Sequence, residues 1–187
     1  MAFGTRPPKH AVQPPHRRLK VFVSYAHRDE RLRQEVDKHL SVLRRSKVIA
    51  TWHDQRISPG QEIDAAIAAA LTTADLILLL VSPDFIHSDY CYLREMNHAL
   101  ERHRTGQARV IPIILRPVDW IRTPIGKLLA LPRDGKPVTS WSKRDEAFLD
   151  VATGVRRAVE EMRSLTPLQV RRPSKVSDAF PRIRSRS

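Results

Sequence analysis

Residues Asp75 to Glu95 read DLILLLVSPDFIHSDYCYLRE, and the fold turns on the first half of that stretch. Leu76 to Val81 is an unbroken apolar run with no alternation. It is far shorter than the roughly 20 residues of a membrane span and is bounded by Asp75 and by Ser82-Pro83. A strand covered on both faces in a parallel sheet reads this way. Ser82, Pro83 and Asp84 end it, because proline offers no ladder donor and these residue types favour turns. Ser88 suits an N-cap, which predicts a helix running through Cys91 and Glu95. Ser88, Cys91 and Glu95 then share one helical face and lean back toward the loop. That places a hydroxyl, a thiol and a carboxylate at the carboxyl end of a central strand, where open α/β sheets bind ligands.

The rest of the chain repeats the strand-then-helix pattern. Leu19 to Tyr25 (LKVFVSY) is a first strand closed by the turn Ala26-His27-Arg28-Asp29. Leu32, Val36, Leu40 and Leu43 recur at helical spacing, and Val48 to Trp52 is a short second strand. The eight-residue connection His53 to Gly60 precedes a helix carrying Ile63, Ile67 and Leu71; loops of that length on the carboxyl side of a sheet are often functional. Val110 to Leu115 is a fourth strand in which Pro112 points to a position away from the sheet's middle or to a bulge. Residues 116–136 are irregular apart from a short helix at Ile125 to Leu131, and Pro137 to Ser140 is read as a brief fifth strand. Phe148, Val151, Val155, Val159 and Met162 form the stripe of a closing helix.

Five strands alternating with helices predict a flavodoxin-like three-layer α/β sandwich: a parallel sheet of order 2-1-3-4-5 with helices on both faces. Its switch point, between strands one and three, puts Tyr25 to Asp29 beside Ser82 to Glu95, with the loop from Asp54 to Gly60 close by.

Charge is uneven along the 187 residues. The net +13 resolves into +5 on residues 1–20, +5 on residues 166–187 and only +3 on the domain between them. The ends are rich in proline and basic residues, so residues 1–16 and 166–187 are expected to be disordered around a domain at 17–165. A nucleic-acid binder would concentrate its basic residues on a face of the fold, so nucleic acid is disfavoured as a partner. The lone Cys91 excludes an internal disulfide framework. With no apolar signal core after the N-terminal basic residues, a cytoplasmic protein with no membrane insertion is expected. The eight histidines show no metal-ligand spacing, so no metal is expected. Cys91 reads as a small packed residue rather than a nucleophile, since no triad is evident, and Asp54 and Asp84 read as caps or turn residues.

Four segments, VFVSYAHRDE, WHDQRISPGQEI, VSPDFIHSDYCYLREM and IPIILRPVDW, together resemble the Toll/interleukin-1 receptor and resistance (TIR) domain in its bacterial form. The resemblance covers residues 19 to about 165 and implies the flavodoxin-like fold reached above. Some members cleave NAD+ at the nicotinamide–ribose bond, and others only assemble signalling complexes. On this resemblance Glu95 matches the catalytic glutamate of the cleaving members. Tyr25, Ala26, His27, Arg28, Asp54, Arg56, Ser88, Cys91 and Tyr92 match the surroundings of the substrate, with Arg28 or Arg56 available to the pyrophosphate. The aromatic that cleaving relatives often place four residues before the glutamate is replaced here by Cys91. Ile57, Ser58, Pro59 and Gly60 fall in the family's BB loop, which lids the site and joins subunits.

The resemblance thus implies an NAD+ glycohydrolase giving nicotinamide and ADP-ribose or a cyclic ADP-ribose, acting in bacterial antiphage defence and activated by assembly. NAD+ is the substrate, and no further cofactor is expected. The alternative is a non-catalytic module that binds other TIR domains, and an upstream sensor protein or domain is a candidate partner in either case.

Overall fold

A computed structural model describes residues 17–52, 63–88 and 94–165. Strands β1 (Leu19–Ser24), β2 (Ile49–Trp52), β3 (Leu76–Val81) and β4 (Arg109–Ile114) form one parallel sheet of order β2-β1-β3-β4. The α-helices among the described residues are α1 (Glu30–His39), α2 (Ser41–Arg45), α3 (Ile63–Thr73), α4 (Pro83–His87), α5 (Asn97–Arg104) and α6 (Arg144–Leu165). The single amphipathic helix expected over Leu32–Leu43 is broken at Leu40 into α1 and α2.

β3 lies at the centre, paired to β1 on one side and β4 on the other, and every one of its side chains is fully buried. Its residues alternate between two cores. Leu76, Leu78 and Leu80 pack with Val36 and Leu40 of α1 and with Phe148, Val151 and Val155 of α6. Ile77, Leu79 and Val81 pack with Ile67 and Leu71 of α3, Phe85 of α4 and Met96 at the start of α5. The unalternating run follows from this: a strand between two helical layers has no wet face. Each such buried side chain stabilises the fold by roughly 1.5–3 kcal/mol. Because α1 leaves β1 toward one layer and α4 leaves β3 toward the other, a crevice opens between the carboxyl ends of these two strands.

The expected fifth strand is corrected. Residues Val138–Ser140 form a 3-10 turn, and the described sheet has four strands. Beyond β4 there is only an isolated parallel bridge between Ile113 and Leu131, in which Leu131 N–H donates to the Pro112 carbonyl at 2.8 Å and Ile114 N–H donates to the Leu131 carbonyl at 2.7 Å. The Pro112 carbonyl, and with it the ring nitrogen that has no proton, faces outward from β4. A full neighbour would therefore lack a ladder bond there. Pro112 does sit on an edge strand, as its ring requires. The short helix expected at Ile125–Leu131 is a 3-10 turn over Pro124–Lys127. Among the described residues no helix is long and apolar enough to cross a membrane.

The first turn of α1 carries an electrostatic clasp. Glu30 accepts from Arg33 Nε at 2.9 Å and from Arg33 Nη2 at 2.7 Å, and Gln34 adds a bond at 2.8 Å. The Arg33 hydrogen bonds, with smaller help from Tyr25 and Gln34 and against the cost of desolvation, hold the Glu30 carboxyl down at about 2. A depressed folded-state pKa stabilises above the unfolded value of 4.5 and ceases to do so as pH falls toward about 2. Solvent screening reduces the contribution to about 1 kcal/mol. Glu30→Gln is thus expected to lower the melting temperature at pH 7 by a few degrees, with the difference from wild type vanishing near pH 2. A difference that persists unchanged to that pH would show that Glu30 acts by packing instead.

Candidate active site

The last residue of β1, Ser24, is 1% exposed and lies opposite Leu79 of β3. Strand alternation puts it on the same face as Phe22 and Ala26, which belong to the α3–α5 core. There its hydroxyl donates to the Glu95 carboxylate. Glu95 is itself only 7% exposed. It sits in a π-type turn at residues 94–96 that leads into α5, and the buried Met96 and Ala99 anchor this turn against the sheet. Single π turns of this kind recur at functional sites because they re-aim a side chain that a regular helix would place elsewhere. The result is a carboxylate held by a strand-end hydroxyl at the β1–β3 switch point.

A second constellation joins the loops after β1, β3 and β4. Asp29, whose side chain is 1% exposed, accepts from the Ser82 hydroxyl. It also lies 2.9 Å from Arg116 Nε, an ion-pair contact that is not aligned as a hydrogen bond. Arg116 Nη2 donates to Asp84, and Arg28 Nε stands 3.7 Å from the other Asp84 oxygen. The Arg116 hydrogen bond is the main cause holding the Asp84 carboxyl below its usual range, with lesser help from the charges of Arg116, Arg28 and His87. Burial alone would lower the Arg116 guanidinium, but the hydrogen bond and charges of Asp84 and Asp29 outweigh it and the guanidinium is raised. Arg116 thus stays charged at every accessible pH.

The turn expected at Ser82 to Asp84 is corrected: a short helix starts there. Ser82 is the cap that follows β3: its backbone is extended, its Oγ accepts from Phe85 N–H at 3.1 Å, and Pro83 takes the first helical position. Ser88 terminates α4 as its C-cap, and the helix start expected after it falls at residues 89–93, outside the described residues. A Ser-Pro pair right after a strand is a helix-start signal, since proline's fixed φ and missing N–H both suit the first turn. Glu95 lies in the π-type turn that leads into α5, and it is buried.

The other anticipated residues separate. Tyr25 packs in the α1–α6 core, on the face opposite Ser24, with the Arg33 guanidinium carbon 5.5 Å from its ring centre. Ala26 is buried, and its carbonyl accepts from Asp29 N–H at 2.7 Å. His27 and Arg28 are exposed on the following turn, the His27 ring meeting Tyr25 edge-on at 6.1 Å. Asp54, Arg56, Ile57, Ser58, Pro59, Gly60, Cys91 and Tyr92 lie outside the described residues. Ser24, Ser82 and Arg116 were not anticipated as site residues, and Asp29 was read only as part of a turn. For Ser24 the alternation of β1 carried the signal, because it puts this hydroxyl on the face turned toward the helix that follows β3. Among the described residues no group of three or more His, Cys, Asp or Glu is placed to hold a metal ion.

Comparison with known proteins agrees with the fold. The family model described as the TIR domain matches residues 21–150. The uncharacterized protein y4lF of Sinorhizobium fredii is 59% identical over 138 residues, which is 74% of this chain and 43% of that protein. The present chain thus spans less than half the length of that relative. Among solved structures, the TIR domain of the Toll-related receptor TRR-2 from Hydra magnipapillata superimposes with a TM-score of 0.54 at 20% identity, covering 75% of this chain and 97% of that one. A likeness at that identity establishes the flavodoxin-like fold. The chain belongs to the TIR domain family, and the Sinorhizobium relative aligns it with the bacterial members.

Proposed function

We propose that this TIR domain is an NAD+ glycohydrolase. The observation that carries the reading is the buried Glu95 carboxylate held by the Ser24 hydroxyl at the carboxyl ends of β1 and β3. Cleavage of the nicotinamide–ribose bond leaves positive charge on the ribose ring and its oxygen, and a fixed carboxylate in a site poor in water stabilises that charge far better than bulk solvent does. The leaving nicotinamide is a pyridinium in the substrate and departs neutral, so it needs no proton donor. One carboxylate suffices for the step. Water then adds to the anomeric carbon and gives up a proton, yielding ADP-ribose, nicotinamide and one proton; attack by the adenine ring in place of water gives a cyclic product. Ser24 holds the carboxylate in one orientation.

In this reading the protein acts in the cytoplasm, where its substrate is present, within bacterial defence against phage, and association through the segment Ile57 to Gly60 completes the active assembly. An upstream sensor protein or domain would supply the trigger. Arg56, Asp54, Cys91 and Tyr92 stay assigned to the substrate's surroundings on the family resemblance alone.

The test is direct. The purified chain incubated with NAD+ is expected to release free nicotinamide, at a rate per molecule that rises with protein concentration. No nicotinamide at any concentration would overturn the glycohydrolase reading and leave assembly with other TIR domains as the function.

A further inference from the structure

We infer that the amino end of the sheet is a docking face for an anionic lipid surface. The parallel strands gather there cations that lie far apart in the chain. Arg18 and Lys20 stand at the start of β1, Arg45 and Lys47 come just before β2, and Arg109 opens β4. Leu19 N–H donates to the Val48 carbonyl at 3.0 Å and Asp75 N–H to the Lys20 carbonyl at 2.8 Å, which ties these strand starts together. Arg17 pairs with Asp75, and Arg109 with Glu161 at 2.6 Å. Arg18, Lys20, Arg45 and Lys47 are exposed, and none has a carboxylate partner among the described residues. Cations in the last turn of a helix often do no more than complement its dipole, but Arg18 and Lys20 belong to no helix.

Lys47 carries the inference furthest. Val48 N–H donates to the Leu43 carbonyl and Lys47 N–H to the Arg44 carbonyl, both at 3.0 Å, so α2 ends in the paired-bond motif that usually closes on glycine. Lys47 occupies the glycine position with a φ of 58°. A side chain is strained there, and a strained position that presents an exposed cation marks a residue kept for recognition rather than for the fold.

Two observations favour lipid over nucleic acid. No Phe, Tyr or Trp is among the described residues at this end, so no such ring is there to stack on a base. Leu165, at the end of α6, is 69% exposed and can enter the boundary of an acyl layer, which a phosphate backbone does not offer. A cavity of about 540 Å³, lined in part by Arg17, His103, Arg109 and Met162, gives a headgroup room beside the arginines. Beyond Leu165 the chain continues into residues 166–187, whose net charge of +5 adds to the same attraction. Ser24 and Glu95 meet at the opposite end of the sheet, so docking leaves that end clear. The inference is independent of the glycohydrolase reading.

The experiment is sedimentation of the full chain with vesicles of phosphatidylcholine alone and of phosphatidylcholine mixed with phosphatidylglycerol, alongside titration with duplex DNA at the same ionic strength. The wild type is expected to bind the mixed vesicles, to leave the neutral ones unbound and to be released as salt is raised. Each cation at such a surface is worth about fivefold in affinity. The combination of Arg18→Gln, Arg45→Gln and Lys47→Gly is therefore expected to lose about a hundredfold. Lys47→Gly alone is expected to lose about fivefold while melting no lower than the wild type, since glycine takes the positive φ without strain. Removing exposed cations after β4 instead, with Arg122→Gln, Lys127→Gln and Lys143→Gln, is expected to leave vesicle binding near that of the wild type. No binding to mixed vesicles, equal binding to both kinds, or equal losses from the two triple variants would overturn the inference. So would an amino-end triple variant that binds like the wild type, or a Lys47→Gly variant that melts well below it. Duplex DNA bound more tightly than mixed vesicles, and lost with the same three residues, would overturn the lipid assignment in favour of nucleic acid.

Discussion

Glu95→Gln is expected to cut nicotinamide release by about a hundredfold to a thousandfold, the usual loss when one preorganised electrostatic contact to a transition state is removed. Glutamine keeps the side-chain volume and an oxygen that can still accept from the Ser24 hydroxyl, so the geometry of the pair survives while its charge does not. The loss should therefore appear in kcat more than in KM. Burial sharpens the prediction for stability. At 7% exposure the carboxylate loses most of its hydration on folding, and a neutral amide has less hydration to lose; against this, its two N–H donors need partners. The two effects oppose each other, so the expected change is within about 1 kcal/mol, or about 2–4 °C for a domain of this size. The assay pairs nicotinamide release with thermal unfolding for the wild type and Glu95→Gln. A variant that melts like the wild type and retains full turnover would falsify the catalytic assignment.

The layered architecture was legible because hydrophobic burial writes itself into composition. The unalternating Leu76 to Val81 run required helices on both sides of β3, and both layers are there. Pro112 pointed away from the sheet's middle or to a bulge because a missing N–H is costly inside a ladder, and β4 is an edge of the described sheet. What failed to show was whatever depended on choosing between local options of similar energy. Pro137 to Ser140 is extended enough to read as a strand, yet it forms a 3-10 turn, since the outward side of Pro112 offers an incomplete ladder to any neighbour. The Ser82 cap with Pro83 after it starts the short helix α4, where turn-forming residue types alone read as a turn. At the site, topology places Glu95 near the strand-one loop and the alternation of β1 gives the face of Ser24, but not that the two meet. Ser24 meets it through a π turn, a one-residue change of helical register that periodicity does not encode. Asp29 and Arg116 lie far apart in the chain, and nothing in either neighbourhood signals that they will pair.

That pair supports the second large effect. Arg116→Met is expected to destabilise the domain by about 3 kcal/mol, the lower end of the range for breaking a buried ion pair by removing one member. The Asp29 carboxylate, 1% exposed at the side chain, would be left with the Ser82 hydroxyl but without its counter-charge. Arg116 is itself partly exposed, so water can reach part of the gap, which is why the lower end applies. The melting temperature should fall by about 6–12 °C. The distinguishing result is the double variant. Asp29→Asn together with Arg116→Met removes the stranded charge as well as its partner, so it is expected to be more stable than Arg116→Met alone and to give a coupling energy of at least about 1 kcal/mol. Equilibrium denaturant unfolding of the wild type, the two single variants and the double variant closes the cycle. If the double variant lost the sum of the two single losses, the residues would act independently. The loops after β1 and β4 would then be held by packing, and the carboxyl end of the sheet would owe its shape to the core beneath it rather than to this pair.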